Sequence, residues 1–380
     1  MNQPLNATGQ ETDPHRRDAE EAAEIVAGFH IRYTQFLNAG GEVARALPEF
    51  AEDPDTLIAL YRTMVLTRTF DKRAIALQRT GRLGTYASSL GQEAIGAGAA
   101  HAMRTEDVLV PAYREYAAQF ARGVMPAEIL LYWGGSELGM NFRGPRRDFP
   151  ICVPIGTQLP HAVGAAFAMK LRREARVAVC IFGDGATSKG DFYEAINAAG
   201  IWNLPVVFVV NNNQWAISMP RSAQTRAETL AQKAIAAGFK GEQVDGNDVI
   251  AVRFCVQRAI DKARAGGGPT LIEALTYRLC DHTTADDAGR YRSAEEVQHA
   301  WQSEPLRRLR RHLSAGGHWS GAKEQALNDA CSAQVEEAVA EYSATPVQPP
   351  ESMFDHLYAS LPVALEPQRE SARQKGRGGA

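Results

Sequence analysis

No apolar run in this 380-residue chain approaches the roughly 18 to 20 residues a helix needs to cross a bilayer, which excludes a helical membrane span. The first residues, MNQPLNATGQETDPHRRDAEEAAE, hold no apolar core of the kind a signal peptide requires and too much acid for a mitochondrial presequence. The expectation is a soluble, cytoplasmic protein. Charge of one sign is missing as well. With 41 Lys plus Arg against 44 Asp plus Glu the net charge is -3, too balanced for broad attraction to nucleic acid or an anionic membrane. The five cysteines (Cys152, Cys180, Cys255, Cys280, Cys331) show no paired spacing such as C-x-x-C and read as reduced thiols. No repeat of solenoid length is evident.

What the chain does have is a run of short β-branched and aromatic segments joined by helical patterns. VAVCIF (177 to 182) and PVVFVV (205 to 210) read as strands buried on both faces, with a helix over 188 to 202 between them. Strand, turn, helix, strand makes a βαβ unit of a parallel sheet, so both strands finish at the same edge. At those ends stand Gly183, Asp184 and Gly185, and then Asn212 and Asn213. Magnesium takes six oxygen ligands, few of them carboxylates, and shares the rest with phosphate. Asp184 offers charge and Asn213 a neutral oxygen, while the two glycines suit a tight turn bringing amides to an anion at a helix amino end.

Further along, 56 to 80 is an amphipathic helix carrying Leu57, Leu60, Tyr61, Met64 and Val65. Residues 159 to 173 form a helix whose Gly164, Ala165 and Ala166 suit close packing on the sheet. A helix at 249 to 265 ends at GGGP, before a third strand, TLIEAL (270 to 275). Residues 293 to 313 and 323 to 344 read as exposed or partner-facing helices. Residues 1 to about 24 are expected to be a disordered or partner-bound arm, and 371 to 380 a loose tail.

The segment GDGATSKGDFYEAINAAGIWNLPVVFVVNNNQWAIS (183 to 218) resembles the thiamine diphosphate motif. In detail the chain is similar to the alpha subunits of the decarboxylating first component of 2-oxo acid dehydrogenase complexes. LGTYASSLGQEAIGAG (83 to 98), VPAYREYAAQFARG (110 to 123), VPIGTQLPHAVGAA (153 to 166), VDGNDVIAV (244 to 252) and TYRLCDHTTADDAGRYR (276 to 292) match in the same order. The resemblance implies an α/β fold of the thiamine diphosphate-binding type: a mainly parallel sheet flanked by helices, with helical N- and C-terminal extensions. It divides the chain into an N-terminal arm (1 to 54, partly disordered), a pyrophosphate-type domain (55 to 315) and a C-terminal helical extension and tail (316 to 380).

It also implies roles for particular residues. Asp184, Asn213 and the backbone carbonyl of Trp215 would ligate magnesium. Gly185 and Ala186 would lie along the diphosphate, which Tyr113, Arg114 and Arg278 would bind, a phenol giving one donor and each guanidinium a fork of them. Ile155 would support the aminopyrimidine ring. His282, in a polar loop after the third strand, would contact the cofactor and act in catalysis. His101 and His161 fall within helical patterns and read as packing or locally hydrogen-bonded groups. Thr157 and Gln158 match a potassium site of some relatives, and Thr283 a phosphorylated serine of some others. Cys280 stands where relatives carry glycine, and Asn211 where they often carry an acid.

The implied reaction is decarboxylation of a small 2-oxo acid, pyruvate by the resemblance around GRLGTYASSLGQEA (81 to 94), and acyl transfer to a lipoyl-bearing acyltransferase. Branched-chain 2-oxo acids and acetoin are the neighbouring substrates. The activating glutamate of split enzymes of this kind lies on a beta subunit, which implies an alpha2beta2 heterotetramer. A non-catalytic paralogue is disfavoured because Asp184, Asn213, Tyr113, Arg114 and His282 are all present. A self-sufficient transketolase-like enzyme is disfavoured because no second α/β half is found.

Overall fold

The computed structural model describes residues 26 to 378 except 356. The arm expected at 1 to 24 lies outside the described residues. At the centre is a six-stranded sheet, all parallel, in the order β1-β7-β8-β4-β3-β2. Its strands are β1 (Tyr33–Thr34), β2 (Val108–Val110), β3 (Ala178–Gly183), β4 (Val206–Asn212), β7 (Lys240–Asp245) and β8 (Thr270–Leu275). A two-stranded ribbon, β5 (Trp215–Ala216) with β6 (Met219–Pro220), follows β4.

Side chains alternate across each strand, and both faces are covered. Val179, Ile181, Val207 and Val209 join one core, beneath α1 (Pro54–Arg79), α2 (Glu93–His101) and α7 (Val249–Arg264). Cys180, Phe182, Phe208 and Val210 join the other, beneath α5 (Gln158–Leu171) and α6 (Gly190–Ile201). Two short helices, α3 (Tyr116–Ala121) and α4 (Pro126–Trp133), continue the chain after β2. α1 begins where Asp53 caps the amides of Asp55 and Thr56 and Pro54 sets the first turn. α7 begins where Asp248 caps Ile250 and Ala251.

The second carboxylate oxygen of Asp248 accepts the amides of Phe36 and Leu37, both at 2.7 Å. That clamp holds the preceding residues against β7 and creates β1. Two residues carry no periodicity of their own, so this strand was invisible to pattern reading.

Four expectations need correction. The helix read over 293 to 313 is in three pieces, Ala294–Ala300, a 3-10 turn at Trp301–Ser303 and α8 (Pro305–Ala315). Pro305 forces Glu304 into an extended ψ of 129°, which breaks the helix there. Residues 371 to 378 belong to a helix, α10 (Glu366–Gly378), which is tied back by an Arg369 to Asp355 ion pair at 2.6 Å. Ahead of it, α9 (Gly321–Ala344) buries Leu327, Cys331, Val335 and Val339 in the chain's own core. In α5, Ala162, Val163 and Ala166 face the sheet, whereas Gly164 is exposed and a Cβ on it would meet nothing within 4 Å.

No helix among the described residues is long and apolar enough to cross a membrane. The five cysteines are all free. His101 bonds Thr63 Oγ1 through Nε2 at 3.0 Å, and His161 stacks on Phe149, so both do local structural work.

Candidate functional site

β2, β3, β4 and β8 end at one edge of the sheet, and each delivers a polar group just beyond its last residue. Tyr113 and Arg114 follow β2, Asp184 follows β3, Asn213 follows β4 and Arg278 follows β8. Gly183 pairs with Asn211 in the ladder, so Asp184 and Asn213 leave neighbouring strands side by side. A cavity of about 220 Å³ opens there. Tyr113, Arg114, Ile155, Asp184, Gly185, Ala186, Asn213, Trp215 and His282 all line it. Arg278 does not, but it stands directly behind His282.

Asp184 is 1 % exposed, and burial raises its carboxyl above the usual range, opposed first by a hydrogen bond from Gln224 Nε2 at 2.7 Å. Asn213 donates from Nδ2 to Gln92 Oε1 at 2.9 Å and accepts Trp215 N–H on Oδ1 at 3.2 Å. These bonds fix which end of the carboxamide is oxygen, and Oδ1 keeps a second lone pair for a metal. The Trp215 indole bonds Tyr277 Oη at 3.2 Å and packs on Tyr291. The loop around it is bent through two left-handed residues, Gln214 (φ 72°) and Ile217 (φ 55°). For a β-branched residue that is a costly conformation, of order 1–3 kcal/mol, and such strain collects at ligand sites.

Arg114 donates Nη1 to Ser88 O at 2.6 Å and Nη2 to His282 Nδ1 at 2.9 Å. Arg278, 0 % exposed, donates Nη2 to Ile217 O and to Tyr291 Oη, both at 2.8 Å, and approaches His282 Nδ1 at 3.3 Å through Nη1. Among the described residues neither guanidinium forms an ion pair with a carboxylate. Two buried cations without a carboxylate partner, Arg114 lining the cavity and Arg278 behind His282, call for an anionic ligand. The strand-end ion pair that would give Arg278 a purely structural role is absent among these residues.

A guanidinium has no acceptor, so His282 Nδ1 accepts from both arginines and the ring proton sits on Nε2. Burial first, then Arg114 and Arg278, lower its pKa to about 4, against a smaller opposing pull from Asp286. The consequence for stability has a definite sign. Above about pH 6.5 the ring is neutral in both states, and as pH falls toward 4 the unfolded chain gains a proton that the folded one refuses. The cofactor-free chain is therefore expected to lose stability over that window, and a His282→Gln variant to lose less. Denaturant unfolding at pH 7 and pH 5 checks this, and equal losses in the two proteins would contradict it. A bound anion beside the two arginines would raise the imidazole pKa again.

The glycines act differently from the expectation of a tight turn. Gly183 has φ -75°, open to any residue, and a Cβ on it would meet no protein atom within 4 Å. What it keeps clear is ligand space. Gly185 is required by close approach, since its Cβ would lie 2.8 Å from Ala216 Cβ. Gly183→Ala is thus expected to leave the free chain's unfolding midpoint unchanged and to weaken ligand binding. Gly185→Ala is expected to destabilise the chain by about 1–3 kcal/mol through the 215–217 loop. Thermal unfolding beside calorimetric titration separates the two. The helix dipole is also farther off than expected, because Asp184–Ser188 form a 3-10 turn and α6 starts only at Gly190.

Three residues of the site escaped the sequence reading. Gln224 comes from a four-residue helix, Arg221–Gln224, that has no amphipathic signal, and Gln92 lies far from Asn213 along the chain. Glu115 lines the cavity, and burial pushes its carboxyl up to about 7 against Asn211 and Arg114. Its position directly after the Tyr-Arg pair was the available clue. Asn211, 2 % exposed beside it, adds no second buried acid. Cys280, in place of glycine, points its thiol at Ser88 O, 3.8 Å away.

The residues fit the diphosphate of thiamine diphosphate with a divalent ion. The two unpaired guanidiniums suit the phosphates, and Gly183 leaves room. Among the described residues no group of three or more His, Cys, Asp or Glu could hold a metal alone. One carboxylate, one carboxamide and one backbone carbonyl form a set that phosphate oxygens and water would complete for magnesium.

The model of the family described as dehydrogenase E1 component matches residues 61 to 351. The 3-methyl-2-oxobutanoate dehydrogenase subunit alpha of Mycobacterium tuberculosis is 44% identical over 333 residues, covering 87% of this chain and 88% of that protein. The pyruvate dehydrogenase E1 component subunit alpha of Staphylococcus aureus is 40% identical over 344 residues, covering 90% and 92%.

Proposed function

Because the chain belongs to the dehydrogenase E1 component family, we propose that it is the alpha subunit of a thiamine diphosphate-dependent 2-oxo acid dehydrogenase, active with a beta subunit. The observation that carries the proposal is the cavity that brings the Asp184 and Asn213 strand ends together with the buried Arg114, backed by a second buried arginine, Arg278, behind His282, neither of them paired with a carboxylate. Its fold is the thiamine diphosphate-binding α/β fold. When bound, the cofactor supplies the carbanion chemistry that releases carbon dioxide from a 2-oxo acid.

The chain's residues bind and orient. Asp184, Asn213 and the Trp215 carbonyl would hold magnesium against the diphosphate, Arg114 and Arg278 would offset its charge, and Tyr113 would donate a hydrogen bond to it. Gly185 and Ala186 would lie along it, and Ile155, 44 % exposed at the rim, would support the ring portion with its apolar side chain. His282 would present Nε2–H to the substrate-derived group, as donor in the acyl transfer to a lipoyl-bearing acyltransferase. Gln158 gives Nε2 to Cys152 O at 2.8 Å and leaves a buried Oε1 without a protein partner, which supports a potassium ion between Thr157 and Gln158. An alpha2beta2 assembly would place the activating glutamate on the partner subunit.

Pyruvate is the substrate the 81 to 94 segment suggests. The 44% identity to a 3-methyl-2-oxobutanoate dehydrogenase subunit favours a branched-chain 2-oxo acid as the second reading. Coexpression with a beta subunit and comparison of kcat/KM for pyruvate, 3-methyl-2-oxobutanoate and acetoin decides between them. Absence of turnover with all three, with the cofactor bound, would favour a non-catalytic paralogue.

A further inference from the structure

Behind Arg114 lies a buried carboxylate that the reaction does not use. Asp71, on α1, is 2 % exposed and has no basic partner among the described residues. An isolated buried charge costs several kcal/mol unless donors surround it. Here three do, from a single loop segment: Tyr86 Oη, Ser88 Oγ at 2.5 Å, and Ser89 N at 2.9 Å. Burial pushes the Asp71 carboxyl up to about 6, and Ser88 and then Tyr86 pull it back down.

The segment so gathered touches the site on two sides. Its Ser88 carbonyl is the acceptor for Arg114 Nη1 at 2.6 Å. Tyr86 exchanges two hydrogen bonds with Thr284, two residues beyond His282: its amide donates to Thr284 Oγ1 at 3.0 Å and its carbonyl accepts Thr284 N at 2.9 Å. Arg114 therefore has one guanidinium nitrogen fixed by this segment and another on His282, and its fork cannot rotate while Ser88 O stays in place.

We propose that Asp71 is a positioning residue for the diphosphate: its carboxylate sets the loop segment at residues 86 to 89, and that segment aims Arg114. This rests on the cofactor reading above. Asparagine is nearly isosteric but has one oxygen where three donors converge, and the Ser89 amide cannot reverse its polarity. In the enzyme assembled with its beta subunit, Asp71→Asn is expected to raise the Kd for thiamine diphosphate with magnesium on the order of 30-fold, read by calorimetry. The kcat at saturating cofactor is expected to fall by less than the Kd rises, because His282 keeps Arg278 on Nδ1 and Asp286 on its amide.

The double-mutant cycle with Arg114→Lys separates positioning from plain structural support. If Asp71 acts through Arg114, Asp71→Asn adds less than about twofold in the Arg114→Lys background. A full, additive loss overturns the proposal, as does an unchanged Kd in Asp71→Asn alone. If Arg114→Lys itself leaves Kd unchanged, the cofactor reading fails instead, and the two failures are distinct. Should Asp71→Asn not fold, Ser88→Ala, which removes one donor and keeps the Ser89 link, carries the same cycle with a smaller shift of the same sign.

Discussion

Asp184→Ala is expected to abolish magnesium-dependent binding of thiamine diphosphate in the enzyme assembled with its beta subunit. Asp184 is the one carboxylate proposed for the ion, and the neutral oxygens of Asn213 and Trp215 cannot replace its charge. In the wild type, cofactor at about 100 times its Kd should add roughly 2.7 kcal/mol to stability, provided only the folded state binds it. In the variant that increment should vanish, while the cofactor-free protein keeps or gains stability. The gain would follow from removing a carboxylate whose pKa burial has already raised. Differential scanning calorimetry with and without cofactor gives both quantities. Retained tight, magnesium-dependent binding would reject the ligand assignment.

Arg278→Met is expected to have the second large effect. Truncating a buried, charge-assisted partner costs about 2–5 kcal/mol of binding, roughly 30-fold to several thousand-fold in Kd. The free chain should lose less, because the hydrogen bonds to Ile217 O and Tyr291 Oη disappear together with an unpaired buried charge. Isothermal titration beside denaturant unfolding measures the two separately. Equal losses in both would make Arg278 a structural residue, and an unchanged Kd would remove it from the phosphate site.

The parts of this site legible in the sequence share one property: their signal is local. β3, α6 and β4 each carry their own periodicity, and the turn and asparagine motifs lie at strand ends, so Asp184 and Asn213 could be placed from the chain alone. TLIEAL likewise coincides with β8. Arg114, Arg278 and His282 were assigned through family resemblance. Their convergence on one imidazole nitrogen is a tertiary fact that no spacing encodes. Gln92, Gln224 and Glu115 went unread for the same reason, since each acts on a partner far away in sequence or lies on an element too short to show a pattern. The split at Glu304 and Pro305 was readable from the proline, but the polar helical pattern on both sides masked it. β1 exists because Asp248 grips the amides after it, a cause lying more than 200 residues away.

The most direct test of the account is the position of the metal. In crystals of the assembled enzyme loaded with thiamine diphosphate and manganese, the account expects the anomalous peak roughly 2.0–2.3 Å from an Asp184 carboxylate oxygen, Asn213 Oδ1 and the Trp215 carbonyl. A peak bound elsewhere, or one reached by Asp184 without Asn213, would contradict it.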